Sequence, residues 1–179
     1  MFFFPDQKTP ILFQGITTIM GGYQAELAIK NGTNLVAGVS HETTGKLGSI
    51  SVYPTVEKAV HAKHPKVSVV FSTPGKALQD VLEAIKAKIP LVICTTEHVQ
   101  MHDALKMKLA AQKAKVTLLG PSSSGILNVG EAVMGTIPVS LFQKGNVAIV
   151  GRSASLMFEY TSRKSSILIT ISSMSHSKT

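Results

Sequence analysis

Five short apolar runs separated by helix-like segments constrain the fold of this chain more than any other feature. The runs lie at residues 10–14, 34–39, 67–72, 91–95 and 116–119. They are continuous apolar stretches rather than alternating ones, which is typical of strands buried on both faces. Five such strands joined by helices predict a parallel sheet with helices on both sides. Right-handed crossovers then favour a doubly wound, Rossmann-like α/β fold.

Helical periodicity fills most of the gaps between these runs, at residues 22–30, 55–63, 76–88 and 101–115. Two of these segments carry an apolar stripe at helical spacing. The stripe of the third segment consists of Ala77, Val81, Leu82 and Ile85. The fourth segment has Ala104, Leu105 and Leu109 at the same spacing, with Lys108 among them.

The pattern changes after residue 120. Residues 121–125 predict a turn, residues 128–138 read as a loop, and residues 146–150 predict a sixth strand followed by a glycine turn and a short helix. We therefore divide the chain into a Rossmann-like domain (1–125), a linker (126–145) and an incomplete second α/β unit with a divergent tail (146–179). The apolar residues 167–169 in that tail are either a last strand or a frayed end.

Composition excludes several classes of protein. Hydrophobic residues make up 44% of the chain and charged residues 16%, which argues for a buried core and against disorder. The apolar runs are too short to span a membrane, and Pro5 ends the N-terminal apolar stretch before it reaches signal-peptide length. The single Cys94 fits a reducing compartment. We expect an intracellular protein. The sequence does not distinguish between the cytoplasm and the mitochondrial matrix.

The formal net charge of +8 indicates affinity for anionic ligands. The lysines are scattered over the predicted helices, arginines number two, and the few aromatic residues are not interleaved with basic ones. This pattern does not favour specific nucleic-acid binding. General attraction for phosphate-bearing ligands is the expected consequence.

The sequence QGITTIMGG, residues 14–22, links the first predicted strand to the first predicted helix through a glycine turn. Backbone N–H groups at such a helix start point toward a ligand, and the helix dipole favours negative charge there. In an open parallel sheet, ligands bind beyond the carboxyl ends of the strands. Four predicted loops lie at those ends, at residues 15–21, 40–45, 72–76 and 95–98.

Known motifs in this region fail or are weak. The dinucleotide fingerprint G-x-G-x-x-G has Thr17 and Met20 at its second and third glycine positions. Glu42 stands about 20 residues further on, where a ribose-binding acid would lie, but without the glycines it reads as a solvated loop acid. His98 and His102 are four apart on a predicted helix, yet no third ligand is evident. We predict no metal site and no catalytic residue.

Residues 14–29, QGITTIMGGYQAELAI, resemble the segment Q-G-F-T-G-K-Q-G-T-F-H-x-E-x-A-I of the succinyl-CoA synthetase (succinate–CoA ligase) alpha subunit. The resemblance continues in order along the chain, from about residue 10 to residue 159. It includes GTNLVAGV (32–39), EAI (83–85), IPLVICTTE (89–97), GPSSSGILNVGE (120–131) and KGNVAIVGRS (144–153).

The resemblance implies a CoA-binding domain followed by the opening of a ligase domain, with coenzyme A as cofactor and a beta-type ligase subunit as partner. The positions it implies for CoA contact are Gly15, Thr17, Thr18, Gly21, Pro74, Thr96 and Glu97. It also implies Ser153 and Phe158 as substrate contacts. Plain structural roles fit three of these residues equally well: Thr96 as a helix N-cap, Glu97 as a first-turn helix acid and Pro74 as a turn residue.

Departures from the family pattern concern charge and length. The family's G-K-Q is Thr18-Ile19-Met20 here, and its lysine after the second strand aligns near Thr43, with Lys46 the nearest lysine. Each exposed charge–phosphate contact contributes about 1 kcal/mol. The loss of both lysine–phosphate contacts predicts CoA binding that is weaker on the order of tenfold to several hundredfold. Serines 122–124 replace N-C-P, and Phe158 replaces a tyrosine.

Three functions follow as hypotheses. The first is a CoA-binding domain of the succinyl-CoA synthetase alpha type, not catalytic alone because the family's phosphohistidine segment is absent. The second is a degenerate, non-enzymatic interaction or regulatory module. The third is a Rossmann domain that senses NAD or an adenine nucleotide. The basic, serine-rich tail after Tyr160 no longer resembles the family, and it is either native or a frameshift product.

Overall fold

The computed structural model describes residues 5–162 and 169–172. Its main sheet has seven strands: β1 (Ile11–Gln14), β2 (Leu35–Val39), β3 (Gly45–Leu47), β4 (Ile50–Tyr53), β5 (Val67–Val70), β6 (Leu91–Cys94) and β7 (Thr117–Leu119). The strand order is β3-β4-β2-β1-β5-β6-β7. All neighbours are parallel except the β3–β4 pair. The doubly wound parallel fold is confirmed.

Four helices cover this sheet: α1 (Ile19–Lys30), α2 (Val56–Lys63), α3 (Pro74–Lys86) and α4 (Met101–Ala114). The buried alanines of α1 belong to one apolar cluster with Ile11 and Phe13 of β1. The buried residues of α2, α3 and α4 form a second cluster with Leu12, whose side chain points to the opposite face of β1. Helices therefore lie on both sides of the sheet, as the continuous apolar strands predict.

A second, four-stranded sheet follows in the chain, formed by β8 (Gly125–Asn128), β9 (Ala132–Gly135), β10 (Ala148–Gly151) and β11 (Ile169–Ser172) in the order β10-β11-β8-β9. The interpretation of residues 128–138 as a loop is wrong, because β8 and β9 form a buried antiparallel hairpin. Their apolar side chains join the cluster that contains Ile11 and Phe13. The division of the chain at residues 125 and 145 stays a prediction.

The end of the described chain forms a strand–turn–helix unit in which β10 precedes α5 (Ala154–Ser162). A single 3₁₀ turn, Val139–Leu141, comes before it. β10 pairs in parallel with β11, and β11 pairs antiparallel with β8. Of the apolar residues 167–169, Ile169 is in a strand, as one alternative expects. Residues 167 and 168 and the serine-rich end of the tail lie outside the described residues.

Two further expectations need correction. The apolar stripe predicted for α4 is wrong, because Leu105 and Leu109 are exposed while Met107 and Ala111 face the sheet. Residues 45–53 form the β3–β4 hairpin, which the sequence does not predict. No helix in the described part of the chain is long and apolar enough to cross a membrane.

Candidate ligand-binding site

The strand order reverses at β1, which has β2 on one side and β5 on the other. Ligands of open α/β sheets bind at such a switch point, beyond the carboxyl ends of the strands. Two adjoining cavities lie at this edge. The first, called here the switch-point cavity, has a volume of about 170 Å³ and is lined by Gln14, Gly15, Thr17, Thr18, Val39, Ser40, His41, Glu42, Ser72, Thr73, Lys76 and Asp80.

The second, called the outer cavity, has a volume of about 450 Å³. Its lining residues are Met20, Phe71, Ser72, Pro74, Thr95, Thr96, Glu97, His98, Ser122, Ser123, Ser124 and Thr136. Ser72, two residues beyond the end of β5, lines both cavities. The four loops that the topology predicts at the carboxyl edge are therefore brought together, and each contributes to one cavity or the other.

Two glycines give the first loop its shape. Gly15 has a φ of +70°, which L side chains rarely adopt, and a Cβ there would lie 3.1 Å from the backbone of Phe71 and of Ser72. Gly21 lies against the Gly15 carbonyl, and a Cβ on Gly21 would lie 2.1 Å from that oxygen. The first turn of α1 is thus folded tightly onto the end of β1, in a geometry that needs glycine at both positions.

Two threonines fix the start of α1. Thr18 is the N-cap: its Oγ1 accepts a hydrogen bond from the Gly21 N–H at 3.0 Å and donates to the Gly15 carbonyl at 2.7 Å. The Thr17 hydroxyl is 2.9 Å from that of Ser40, beyond β2. The first two helical amides, those of Ile19 and Met20, have no acceptor within the described residues. Such amides are the groups that bind anions at helix N-termini.

The other residues predicted for CoA contact line the outer cavity. Pro74 is the first residue of α3. Thr96 is buried, and its hydroxyl donates to the Ser72 carbonyl at 2.8 Å. The alternative roles of Thr96 as N-cap and Glu97 as first-turn acid are wrong, because α4 begins at Met101 with Gln100 as its N-cap. Glu97 is exposed at the cavity wall.

Ser153 and Phe158 lie elsewhere. The Ser153 hydroxyl accepts a hydrogen bond from the Leu156 N–H at 3.3 Å, at the start of α5. Phe158 packs edge-on against Phe142, with ring centroids 6.3 Å apart. Neither residue lines the two cavities. Their role as substrate contacts stays a prediction.

A cation does face the switch-point cavity, although the family's loop lysines are absent. Lys76, in the first turn of α3, forms a hydrogen-bonded ion pair with Glu42, which follows β2. The hydrogen bond from Lys76, followed by its charge, lowers the pKa of Glu42, and the same hydrogen bond raises the pKa of Lys76. Both groups are therefore charged at neutral pH, and Glu42 is an engaged residue rather than a merely solvated acid.

Sequence reasoning missed the polar wall of this cavity. Buried Gln14 donates through Nε2 to the Ser68 hydroxyl at 2.9 Å and to the Asp80 carbonyl at 3.0 Å. In the sequence, Lys76 is one of many lysines on predicted helices, which is typical of a solvated helix face. Its place in the first turn after a strand end is the one signal that could have indicated a ligand contact. The expected helical pair His98 and His102 is wrong, because His98 has a φ of 57° and precedes α4.

The two cavities beyond the strand ends, the glycine-shaped loop and the open amides at the start of α1 define the class of this chain. It is a doubly wound α/β domain whose first loop has a geometry that suits a phosphate group. Comparison with known proteins then gives the family. The CoA-binding domain family matches residues 6–98, more than half of the chain, and the chain belongs to that family. The resemblance to the succinate–CoA ligase alpha subunit is confirmed as well.

Curated relatives carry that resemblance. The chain is 38% identical over 158 residues to a succinate–CoA ligase [ADP-forming] subunit alpha 2 of Archaeoglobus fulgidus, covering 86% of this chain and 54% of that one. It is 36% identical over 160 residues to the alpha subunit of Staphylococcus epidermidis, covering 87% and 52%. The chain thus spans about half the length of these relatives.

Solved structures share the fold. ATP citrate lyase from Methanothrix soehngenii, in complex with citrate and coenzyme A, matches with a TM-score of 0.80 and 20% identity, over 95% of this chain and 32% of that one. The apo dinucleotide-forming acetyl-coenzyme A synthetase 1 of Ca. Korarchaeum cryptofilum also gives 0.80, at 18% identity, over 96% and 40%. At these identities the likeness concerns the fold alone.

Proposed function

We propose that this chain binds coenzyme A across the switch-point and outer cavities, with a phosphate at the N-terminus of α1. The observation that carries the proposal is the first loop: Gly15 and Gly21 fold it tightly, and the Ile19 and Met20 amides are left open. Membership in the CoA-binding domain family supports the same ligand. The loop still offers the backbone N–H groups of a phosphate site, although the family's lysine is absent.

The shape of the site suits an extended ligand. Coenzyme A joins a nucleotide and a diphosphate to a long, flexible thiol arm. The two cavities meet at Ser72, with the start of α1 between them: Thr17 and Thr18 line one cavity and Met20 the other. A ligand whose phosphates lie at the helix start can place its two ends in different cavities.

Lys76 supplies the positive charge in this proposal. The family's cations at the positions of Ile19 and near Thr43 are replaced, but Lys76 lines the same cavity from α3 and is held by Glu42. A ligand phosphate competes with the Glu42 carboxylate for this ammonium group. Binding is therefore expected to weaken with salt, because the charges involved are largely exposed.

The broader role we propose is that of the CoA-binding part of a succinate–CoA ligase of the alpha type, acting with a beta-type subunit. The sequence identity to alpha subunits over most of the chain supports this role. In this proposal the chain provides the CoA site, and the phosphoryl transfer belongs to the remainder of the ligase.

The test is titration calorimetry of the purified chain with coenzyme A, desulfo-CoA and NAD. We expect both CoA compounds to bind and NAD to bind far more weakly. Lys76→Met should weaken CoA binding about fivefold to tenfold, since one exposed charge–phosphate contact contributes about 1 kcal/mol. Glu42→Gln should strengthen it, because the competing carboxylate is removed.

The matched control is Lys46→Met, which removes a lysine from the exposed strand β3 that lines neither cavity. Its CoA affinity should equal that of the parent chain. Absence of binding at millimolar CoA contradicts the proposal and favours the non-enzymatic module. Tighter binding of NAD, together with a loss on Glu42→Ala, favours the nucleotide-sensing alternative.

A further inference from the structure

We propose that His41, Asp80 and Glu83 form a binding site for a divalent transition-metal ion, with Zn²⁺ as the best match. His41 follows β2, whereas Asp80 and Glu83 lie three residues apart on one face of α3. His41 Nε2 is 3.0 Å from Asp80 Oδ1 and 3.7 Å from Glu83 Oε2. The three ligand atoms all lie within 4.8 Å of one another, close enough for one ion to contact all three.

The second oxygen of each carboxylate is already held by the protein. The Ser72 hydroxyl donates a hydrogen bond to Asp80 Oδ2, and the Val56 N–H donates to Glu83 Oε1 at 3.0 Å. Each carboxylate is therefore oriented through one oxygen, and the remaining oxygens, Asp80 Oδ1 and Glu83 Oε2, both face the imidazole. Such outer hydrogen bonds are what positions metal-binding carboxylates in known sites.

An unsatisfied atom sets this cluster apart from an ordinary ion pair. An imidazole Nε2 carries at most one hydrogen, and Asp80 Oδ1 is the nearer acceptor. Glu83 Oε2 is then buried with no hydrogen-bond partner in the described structure. Asp80 itself is only 4% exposed. A buried carboxylate oxygen without a partner is costly, and a cation shared by the three groups satisfies both oxygens at once.

The ligand set indicates the type of metal. One imidazole nitrogen and two carboxylate oxygens suit Zn²⁺ and similar ions, whereas Mg²⁺ and Ca²⁺ prefer ligands that are all oxygen. Three protein ligands also leave a coordination position for water or for another ligand. The His41 side chain is 32% exposed, and His41 and Asp80 line the switch-point cavity. The ion can therefore enter from solvent through that cavity.

The experiment is a titration of the chelator-treated chain with Co²⁺, followed by its visible absorption, and then displacement by Zn²⁺ measured by calorimetry. No coenzyme A is present, so the outcome is independent of the proposed function. We expect one equivalent of Co²⁺ to give a ligand-field spectrum. Removing a ligand in His41→Ala or Glu83→Gln should weaken binding more than about tenfold, since even outer-shell changes cost 10–100-fold.

The matched control is His61→Ala, which removes an exposed histidine from α2 and should bind Co²⁺ like the parent chain. Thermal unfolding separates metal binding from a structural ion pair. Zn²⁺ should raise the melting temperature of the parent chain and leave that of His41→Ala unchanged. Equal Co²⁺ affinity in the folded His41→Ala and parent chains, or no ligand-field spectrum in the parent, overturns the proposal.

Discussion

Two strand–turn–helix units in this molecule share a local design. In the first, β1 leads through Gly15 to α1, which Thr18 caps; in the second, β10 leads through Gly151 to α5. At the start of α5, the Ser153 hydroxyl accepts from the Leu156 N–H at 3.3 Å. In the first unit, the Thr18 hydroxyl accepts from the Gly21 N–H at 3.0 Å. Both units therefore consist of a strand, a glycine and a helix whose start carries a hydroxyl side chain.

The surroundings of the two units differ. Every residue of β1 is buried, and β1 lies between two parallel strands whose ends contribute Ser40 and Ser72 to the same cavity. β10 is the edge strand of its sheet, and Val150 in that strand is 73% exposed. The helix start alone therefore does not make a candidate site. The neighbouring strand ends, which only the sheet topology brings together, supply the walls.

The largest expected difference between the units comes from adding one methyl group to a glycine in each. In Gly21→Ala, the new Cβ would lie 2.1 Å from the Gly15 carbonyl oxygen, a backbone atom that cannot move aside freely. We expect a loss of about 3 kcal/mol or more, which outweighs the gain of about 1 kcal/mol from helix propensity. CoA binding should be lost with the loop.

In Gly151→Ala, the new Cβ would lie 2.8 Å from the Met157 sulfur, the flexible part of an adaptable side chain. We expect a loss under about 1 kcal/mol. Urea unfolding of both variants measures the difference. Equal stabilities for the two would show that the first loop is not held as tightly as its geometry indicates.

A smaller difference is expected for the two helix caps. Thr18→Ala removes both the bond from the Gly21 N–H and the bond to the Gly15 carbonyl. It should cost about 1 kcal/mol or slightly more, as N-cap removal generally does, and should weaken CoA binding several-fold. Ser153→Ala removes one long, exposed hydrogen bond and should cost about 0.5 kcal/mol or less.

The same denaturation and calorimetry measurements apply to both cap variants. Ser153→Ala should leave CoA affinity unchanged, since Ser153 lines neither cavity. A weakened affinity in this variant would mean that the second unit takes part in the site. It would then support the predicted substrate contact at Ser153.

Prediction from sequence succeeds where burial dominates. The parallel sheet follows from its continuous apolar strands, and the place of the two cavities at the carboxyl ends of the strands follows from topology alone. The sequence does not predict the β3–β4 hairpin, because its first strand, Gly45–Leu47, is exposed and has no apolar pattern. The sequence does not predict the β8–β9 hairpin either. Glycines stand at its two ends and at position 130 in its turn, which is typical of a loop, although both strands are buried.

Side-chain pairings within the site are harder to predict than its position. Glu42 and Lys76 are 34 residues apart in the chain, and His41 and Asp80 are 39 apart. Nothing in the local sequence near either member indicates its partner. Such contacts depend on the register of β2 against β1 and on the rotation of α3, which the apolar pattern fixes only to within a few residues.

Alkylation of Cys94, the only cysteine of the chain, can show whether the two strand–turn–helix units open independently. This comparison is expected to give the smallest effects. Burial at the end of β6 raises the pKa of the Cys94 thiol to about 11, from an ordinary value of 9.0. The raised pKa adds stability below pH 9 that is lost as the pH rises toward 11. At pH 8 the buried thiol is protonated, so iodoacetamide reacts only after the main sheet opens.

Gly21→Ala should accelerate this labelling strongly, because it destabilises the sheet that buries Cys94. Gly151→Ala and Ser153→Ala should stay within about twofold of the parent rate, since opening of the second unit does not expose β6. Mass spectrometry of the alkylated chain gives the rates. If the labelling rate of Cys94 rises equally in all three variants, the two units unfold as one cooperative body. Their difference in burial then does not make them energetically independent.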